Sequence, residues 1–301
     1  MAKREQYFRL MSLAEIFKRK PQGVTYEEIY SYLERKFEEK GWLENFKFSE
    51  KTFKREREEL LEILGIETVY KRSTNSYKIV EDELETENVF DNILLIDAYR
   101  QVRGNSEIML FEKRKSRGLE HLNGILHAIQ NKKKISFNYT KYWDEIPQKR
   151  VLEPYALKEF RYRWYLLANE KNGKDFQIKT FGLDRISDFE ISNSSFKKEN
   201  FNPNEVFQNS FGIISTLHET PEEIVISFTP HQGKYIKSLP LHHSQEILID
   251  DANELRVKFN LIPTFDFEQE LLQHSEHLKI ISPKNFKDRM NEIWENALKS
   301  S

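Results

Sequence analysis

The chain contains no cysteine. Disulfide staples, thiolate zinc sites and cysteine nucleophiles are therefore excluded. A reducing compartment is compatible with that absence. No run of apolar residues is long enough to span a bilayer. The opening, Met1-Ala2-Lys3-Arg4-Glu5, turns amphipathic at once and lacks the apolar stretch of a signal peptide, so a cytoplasmic protein is expected. There is no Gly-rich phosphate loop, no recognisable nucleophile motif, no internal repeat and no low-complexity tract. The histidines are poorly spaced for a metal. Neighbours His242 and His243 would point to opposite faces of a strand, His121 and His127 do not share a helical face, and the pair His274 and His277 has no further ligand near it. Asp184-Arg185 reads better as an ion pair or a ligand contact than as an acid and base. The expectation is a protein without catalysis, metal or cofactor.

What is present fits a well-charged protein of two or three domains. The chain has 301 residues, of which 38% are hydrophobic, 32% charged and 13% aromatic. Net charge is -2 but unevenly spread. Residues 1–83 carry 17 Lys and Arg against 17 Asp and Glu, residues 113–163 carry 13 against 5, and residues 201–301 carry 9 against 15. An anionic partner is therefore expected at the middle of the chain.

Apolar residues recur at helical spacing over residues 5–19 and stop at Pro21-Gln22-Gly23. Thr25-Tyr26-Glu27-Glu28 fits a capping box opening a second helix, which ends near Gly41. Ser49 is a good N-cap for a third, with Phe53, Leu60, Leu61 and Leu64 on one face and Gly65 at its end. Strand-like runs at 66–70 and 77–80 flank a polar hairpin tip. Three helices and a hairpin in about 80 residues is the winged helix-turn-helix order. In such a unit the start of the second helix of the motif enters the major groove. Lys51, Lys54 and Arg55 would point outward there, Ser49 and Thr52 can donate to phosphate, and Lys71 and Arg72 sit at the hairpin tip. Glu50, Glu56, Glu58 and Glu59 on the same helix weaken its basic face and leave a solvated amphipathic helix as the alternative.

An acidic stretch at 81–87 marks a boundary. Helical patterns follow at 89–102, interrupted by Gly104-Asn105-Ser106, and again at 119–131. They form a connector that either packs on its own domains or serves as a dimer seam. From Lys134 the period changes to two. Short strands at 135–139, 151–157, 164–168, 176–181 and 186–191 suggest a small bent sheet or barrel. After residue 201 the order β-α-β-β-α-β with a terminal helix from Pro283 suggests a ferredoxin-like domain. The reading is thus an α+β multidomain chain: a winged helix-turn-helix over 1–84, a helical linker over 85–131, a small barrel over 132–200 and a C-terminal α+β domain over 201–301.

Within the barrel stands Arg161-Tyr162-Arg163-Trp164-Tyr165-Leu166-Leu167-Ala168. On a strand, Trp164, Leu166 and Ala168 share one face and Arg163, Tyr165 and Leu167 the other. The first set looks like core. Arg163 beside Tyr165 offers either a charged fork with a stacking surface, suited to a nucleotide or single strand, or an arginine packed along a half-buried tyrosine.

Trp164-Tyr165-Leu166 matches the tripeptide that names the WYL domain. Ile135-Ser136-Phe137 before Tyr139, Glu153-Pro154-Tyr155, and Phe181-Gly182-Leu183-Asp184-Arg185-Ile186 match its other landmarks. Leu239-Pro240-Leu241-His242-His243-Ser244-Gln245 and Ile281-Ser282-Pro283 resemble the WCX extension. Over essentially its whole length the chain resembles the WYL transcriptional regulators. That resemblance implies an Sm-like barrel that binds nucleic acid or a nucleotide-like ligand, single-stranded DNA in some members. It also implies a bacterial, usually dimeric protein serving stress or phage-defence control. By resemblance the ligand face falls on Tyr139, Arg163, Tyr165, Lys179 and Arg185. The family often has arginine at the positions of Lys179 and Gly182. Lys179 keeps the charge without the bidentate fork and Gly182 loses it, so the expectation is a different ligand, weaker binding, or compensation by other basic residues such as Lys158 or Arg161. The expected partners are double-stranded DNA, a nucleic-acid or nucleotide-like ligand and a second copy of the chain. The alternatives are a single-strand- or RNA-binding accessory protein without an operator and a metal-dependent enzyme.

Overall fold

The computed structural model describes residues 2–80, 92, 95–96, 118–143, 146–170, 176–214 and 219–299. The helix expected over 89–102 and its interruption at 104–106 fall largely outside them. The chain divides into two compact units, residues 1–112 and 113–301.

In the first unit, α1 (Ala2–Arg19), α2 (Tyr26–Glu39) and α3 (Glu50–Leu64) precede a hairpin of β1 (Thr68–Lys71) and β2 (Ser76–Ile79). The apolar faces of all three helices meet in one core that includes Leu13, Phe17, Ile29, Leu33, Phe53 and Leu60. The capping box closes reciprocally: Glu28 N donates to Thr25 Oγ1 at 3.2 Å and Thr25 N to Glu28 Oε2 at 2.9 Å. Thr25→Ala should therefore lower stability by about 1 kcal/mol, read as a shift in denaturant midpoint at unchanged slope. Gly65 ends α3 with φ +68°, a conformation that strains other residues. Ile66 lies in the core rather than in the strand, which begins two residues later. Val24 pairs with Tyr77 in a single isolated bridge beside the hairpin. The sequence pattern placed no element between α2 and α3. There a 3-10 turn at Leu43–Asn45 leads to Phe46, packed edge-on to Tyr30, and Phe48, stacked on Tyr26.

One acid is placed differently from expectation. Glu56 does not lie on the outer face of α3. It is fully buried, and Arg9 Nε donates to its Oε1 at 2.7 Å. Glu59 turns partly inward as well and accepts from Gln6 Nε2 at 2.6 Å. Only Glu50 and Glu58 of the four acids are exposed.

The second unit opens with α4 (Leu122–Gln130), followed by β3 (Lys133–Tyr139), β4 (Gln148–Phe160), β5 (Arg163–Asn169), β6 (Ile178–Gly182) and β7 (Ile186–Ser195). These strands form one antiparallel sheet in the order β6-β5-β4-β3-β7. The long β4 serves two partners: Leu152 pairs with Ile135 on β3, while Leu157 pairs with Leu166 on β5. Its register slips between Pro154 and Ala156. Proline has no N–H to give the ladder, so the bend falls where a bond is already missing. Trp164, Leu166 and Ala168 face the core inside this bent sheet with Phe137, Leu152 and Phe181, and α4 adds Ile125 and Ala128 to it. Leu167, on the opposite face, meets Val206 and Phe207 of a short helix α5 (Pro203–Phe207) that the sequence pattern did not reveal.

The rest of the unit runs β8 (Glu222–Phe228), α6 (Pro230–Ser238), β9 (Glu246–Asp250), β10 (Leu255–Leu261), α7 (Phe265–Leu272), β11 (Leu278–Ser282) and α8 (Lys284–Lys299). Its antiparallel sheet has the order β11-β8-β10-β9. The helices pack Phe267, Leu271, Phe286 and Met290 onto Ile226, Val257 and Phe259. Residues 209–213 fasten this domain to the first sheet. Phe211 packs edge-on to both Phe160 and Phe267, Thr180 Oγ1 donates to Ile213 O at 3.2 Å, and Ile213 N donates to Asp266 Oδ2 at 2.8 Å. Gly212, at φ +93°, permits this approach, since a Cβ there would stand 2.1 Å from Asp266 Oδ2.

Candidate ligand and nucleic-acid interfaces

Two surfaces gather cations. The first lies on the N-terminal unit. Ser49 caps α3 by accepting from Thr52 N at 3.2 Å, and the two hydroxyls also meet at 3.0 Å. Lys51 and Lys54 are exposed just beyond them, and Lys71 and Arg72 are exposed at the hairpin tip. Among the described residues none of these four has a carboxylate within ion-pair distance, whereas Arg55 lies 3.6 Å from Glu59. Behind α3, Arg57 is half-buried. Its Nε donates to Thr68 Oγ1 at 2.7 Å and its guanidinium covers the Tyr77 ring at 4.7 Å, which braces the hairpin on the helix.

The second surface is built on the bent sheet. Phe160 and Arg163 flank a two-residue turn whose residues, Arg161 and Tyr162, take φ +50° and +63°. Hairpin turns of this hand favour Asn-Gly, so bulky residues here carry strain. The turn is held by Tyr162 N donating to Glu159 Oε1 at 2.7 Å and by a salt bridge from Arg161 to Glu270 on α7. It presents Arg163, whose Nη1 donates to the Tyr142 hydroxyl at 2.8 Å and lies 3.6 Å from Asp184 Oδ2. Tyr142 in turn donates to Asp184 Oδ2 at 3.1 Å. The Arg185 guanidinium lies over two rings, 5.0 Å from the centre of Tyr139 and 4.8 Å from that of Tyr142. Gly182 makes room for this fold-back: a Cβ there would stand 2.7 Å from Asp184 Oδ1 and 3.0 Å from Arg185 Nη2. The position that lacks a family arginine is thus filled by the side chain of Arg185.

The five residues assigned to the ligand face do not all meet. Arg163 and Arg185 converge, and Tyr139 lies beneath Arg185, buried, with its hydroxyl accepting from Gly182 N at 3.1 Å. Tyr165 shares the outer face with Arg163 but is buried, so it offers no open stacking surface. Lys179 is elsewhere. Strand alternation puts it on the opposite face of β6 from Gly182, where its Nζ donates to Glu170 Oε2 at 2.7 Å while Arg150 donates to Oε1 at 2.7 Å. Burial opposes ionisation of Glu170, but these two cations outweigh it and hold its carboxyl below the usual glutamate range. Tyr142, which ties Arg163, Asp184 and Arg185 together, was not singled out from the sequence. Its only signal was an aromatic pair with Trp143 inside the basic segment. Tyr142 is 66% and Trp143 78% exposed. Among the described residues no three His, Asp or Glu side chains are grouped to hold a metal, and no helix is long and apolar enough to cross a membrane.

The chain thus combines a helical unit with a hairpin, a bent five-stranded sheet carrying paired arginines, and a four-stranded antiparallel α+β domain. The WYL domain family matches residues 120–191 and the WCX domain family residues 220–298, so the chain is a WYL- and WCX-domain protein. The WYL match takes in α4. Among solved structures, the chain aligns with proteasome accessory factor B/C (PafBC) of Arthrobacter aurescens at 13% identity and a TM-score of 0.27, covering 70% of this chain. It spans 32% of the PafBC chain, about a third of that protein's length. It also aligns with a CRISPR Cas-related protein at 12% identity and a TM-score of 0.41, covering 98% of this chain and 84% of that one. No curated protein matches it in sequence.

Proposed function

We propose that this protein is a bacterial, cytoplasmic, DNA-binding transcriptional regulator, without catalytic activity or cofactor, that works as a homodimer. On this reading the first unit is a winged helix-turn-helix with α3 as the recognition helix. The WYL sheet is an Sm-like barrel that senses an anionic, nucleotide-like or nucleic-acid ligand through Arg163 and Arg185. The WCX domain, with the β11-β8-β10-β9 order of a ferredoxin-like fold, supports dimerisation. The observation that carries the reading is the set of uncommitted cations at the start of α3 and at the hairpin tip, on a chain that also holds WYL and WCX domains. Uncommitted lysines reach phosphates without first breaking an internal ion pair. Ligand binding alters operator affinity only if the ligand prefers one arrangement of the domains.

Lys51→Ala with Lys54→Ala should weaken binding to duplex DNA by on the order of tenfold to a hundredfold and reduce the salt slope by about 1.8, at unchanged melting temperature. The measurement is fluorescence anisotropy on the duplex upstream of the protein's own reading frame and on random duplex. Preference for a palindromic upstream site supports the regulator. The exposed Tyr142 and Trp143 beside two arginines favour a second reading, a single-strand- or RNA-binding accessory protein. Equal binding of the two duplexes with tighter binding of single strands would establish that one instead.

A further inference from the structure

Beyond Tyr165, on the same outer face of the sheet, a separate cavity of about 360 Å³ opens between the WYL sheet, α5 and the loop at 239–245. Leu167 and Phe207 supply apolar walls, Asn204 and Gln208 supply amides, and Lys158 and His243 supply basic groups. Lys158 pairs across the strands with Tyr165, which pairs with Gly182, so Tyr165 stands between this cavity and the Arg163–Arg185 cluster.

Two features mark the cavity as a site rather than a packing gap. Lys158 is half-buried with its Nζ 4.7 Å from the centre of the Phe207 ring. Among the described residues it has no carboxylate within ion-pair distance, although its neighbours Arg161 and Arg163 each have one. Burial pulls its pKa below the usual lysine value, the cost of holding a cation there without a counter-charge. The second feature is the rigidity of the opposite wall. Asn260 N donates to Ser244 Oγ at 3.0 Å, and Ser244 Oγ lies 2.7 Å from His242 Nδ1. Ser244 N also donates to that nitrogen at 3.2 Å, so Nδ1 is the acceptor and the ring is neutral. Burial, then the adjacent His243, push His242 down to about 4. Its ring backs that of His243, 4.0 Å away, and fixes it at the cavity mouth.

We propose that this cavity is a second ligand site that takes a nucleoside phosphomonoester, with the phosphate on Lys158 and His243 and the base against Leu167 and Phe207. The phosphate supplies the missing counter-charge. Amides that both donate and accept, as Asn204 and Gln208 do, suit the edge of a base. Cavities that hold small ligands run to about 300–1,000 Å³, so this one is at the small end, right for a single nucleotide.

The test is calorimetric titration of the full chain with AMP, GMP, CMP and TMP, and with adenosine and inorganic phosphate as controls. At least one monophosphate should bind at least tenfold more tightly than either control. Lys158→Met, which keeps the side-chain length against Phe207, should weaken it by on the order of tenfold to a hundredfold at unchanged melting temperature. His243→Gln should weaken it less. The proposal is overturned if no monophosphate binds at millimolar concentration, if phosphate alone binds as well as the nucleotide, or if Lys158→Met binds like the parent. Loss in Arg163→Ala but not in Lys158→Met would give the nucleotide to the Arg163–Arg185 cluster and leave this cavity without a ligand.

Discussion

Replacing Arg9 by methionine is expected to cost the N-terminal unit about 3–5 kcal/mol, enough to unfold much of it at physiological temperature. Arg9 is 7% exposed and Glu56 is fully buried. The arginine is the partner of Glu56 Oε1, and Oε2 of the same carboxylate has no hydrogen-bond partner among the described residues. Taking the guanidinium away leaves a buried carboxylate without its hydrogen-bonding partner, offset only by the weaker field of Arg55. Burial already raises the Glu56 carboxyl above the usual range, and Arg9 is what draws it back. A carboxyl whose folded pKa exceeds its unfolded value loses stabilising effect as pH rises from the unfolded value through the folded one. Without Arg9 the folded value climbs further, so the deficit of the variant should be largest at neutral pH and should narrow on acidification. Adding Glu56→Met removes the stranded charge and should recover most of the loss, because a buried ion pair exchanged for apolar groups of similar volume is often neutral. Urea unfolding of the parent, the single variant and the double variant at pH 7 and pH 5 measures all of this. A deficit in Arg9→Met that is independent of pH and not relieved by Glu56→Met would show that the residue matters through its packing and not its charge.

That pair also shows where reading the sequence stops. Helical spacing located α3, and Ser49 and Gly65 located its ends, because those signals are local. Glu56 looked like one more acid on the outer face. Only tertiary packing with α1, at Arg9, turns it inward, and once inward it no longer counts against a basic recognition surface. Strand alternation likewise divided Trp164, Leu166 and Ala168 from Arg163 and Tyr165 correctly. It could not show that residues 209–213 and α7 cover the outer face beside Tyr165, since those contacts join residues from 33 to 109 positions apart. By resemblance to the family, Lys179 and Gly182 fall on one charged face with its charge weakened. Yet they lie three apart on a strand and so face opposite ways, one into an ion triad with Glu170 and Arg150, the other under Arg185. Tyr142 was hidden for a related reason: nothing local distinguishes a tyrosine that organises two arginines from one that is merely exposed.

The largest effect on ligand sensing should come from Arg163→Ala combined with Arg185→Ala. Affinity for short single-stranded DNA, the probe for the proposed anionic ligand, should fall about a thousandfold, the sum of two charge-assisted contacts at roughly 2 kcal/mol each. Duplex binding without ligand should not change, since α3 and the hairpin tip are untouched. Asp184 sets the opposite expectation. Its carboxylate lies 3.6 Å from Arg163 and accepts from Tyr142, so in the unliganded protein it occupies the arginine that a phosphate would use. Asp184→Asn keeps an acceptor for Tyr142 but removes the competing charge. It should tighten the same probe by up to about fivefold, the modest figure appropriate to a pair in which the arginine is exposed. Fluorescence titration of a labelled oligonucleotide at two salt concentrations separates the cases. If the double arginine variant binds the probe as the parent does, the cluster is structural. If it loses the probe while Asp184→Asn binds no more tightly than the parent, the arginines read the ligand but Asp184 does not hold one in reserve. Tightening in one variant and loss in the other would together identify Asp184 as an internal anion that the ligand displaces, which gives ligand binding a defined change at the turn carrying Arg161 and, through Glu270, a route to the WCX domain.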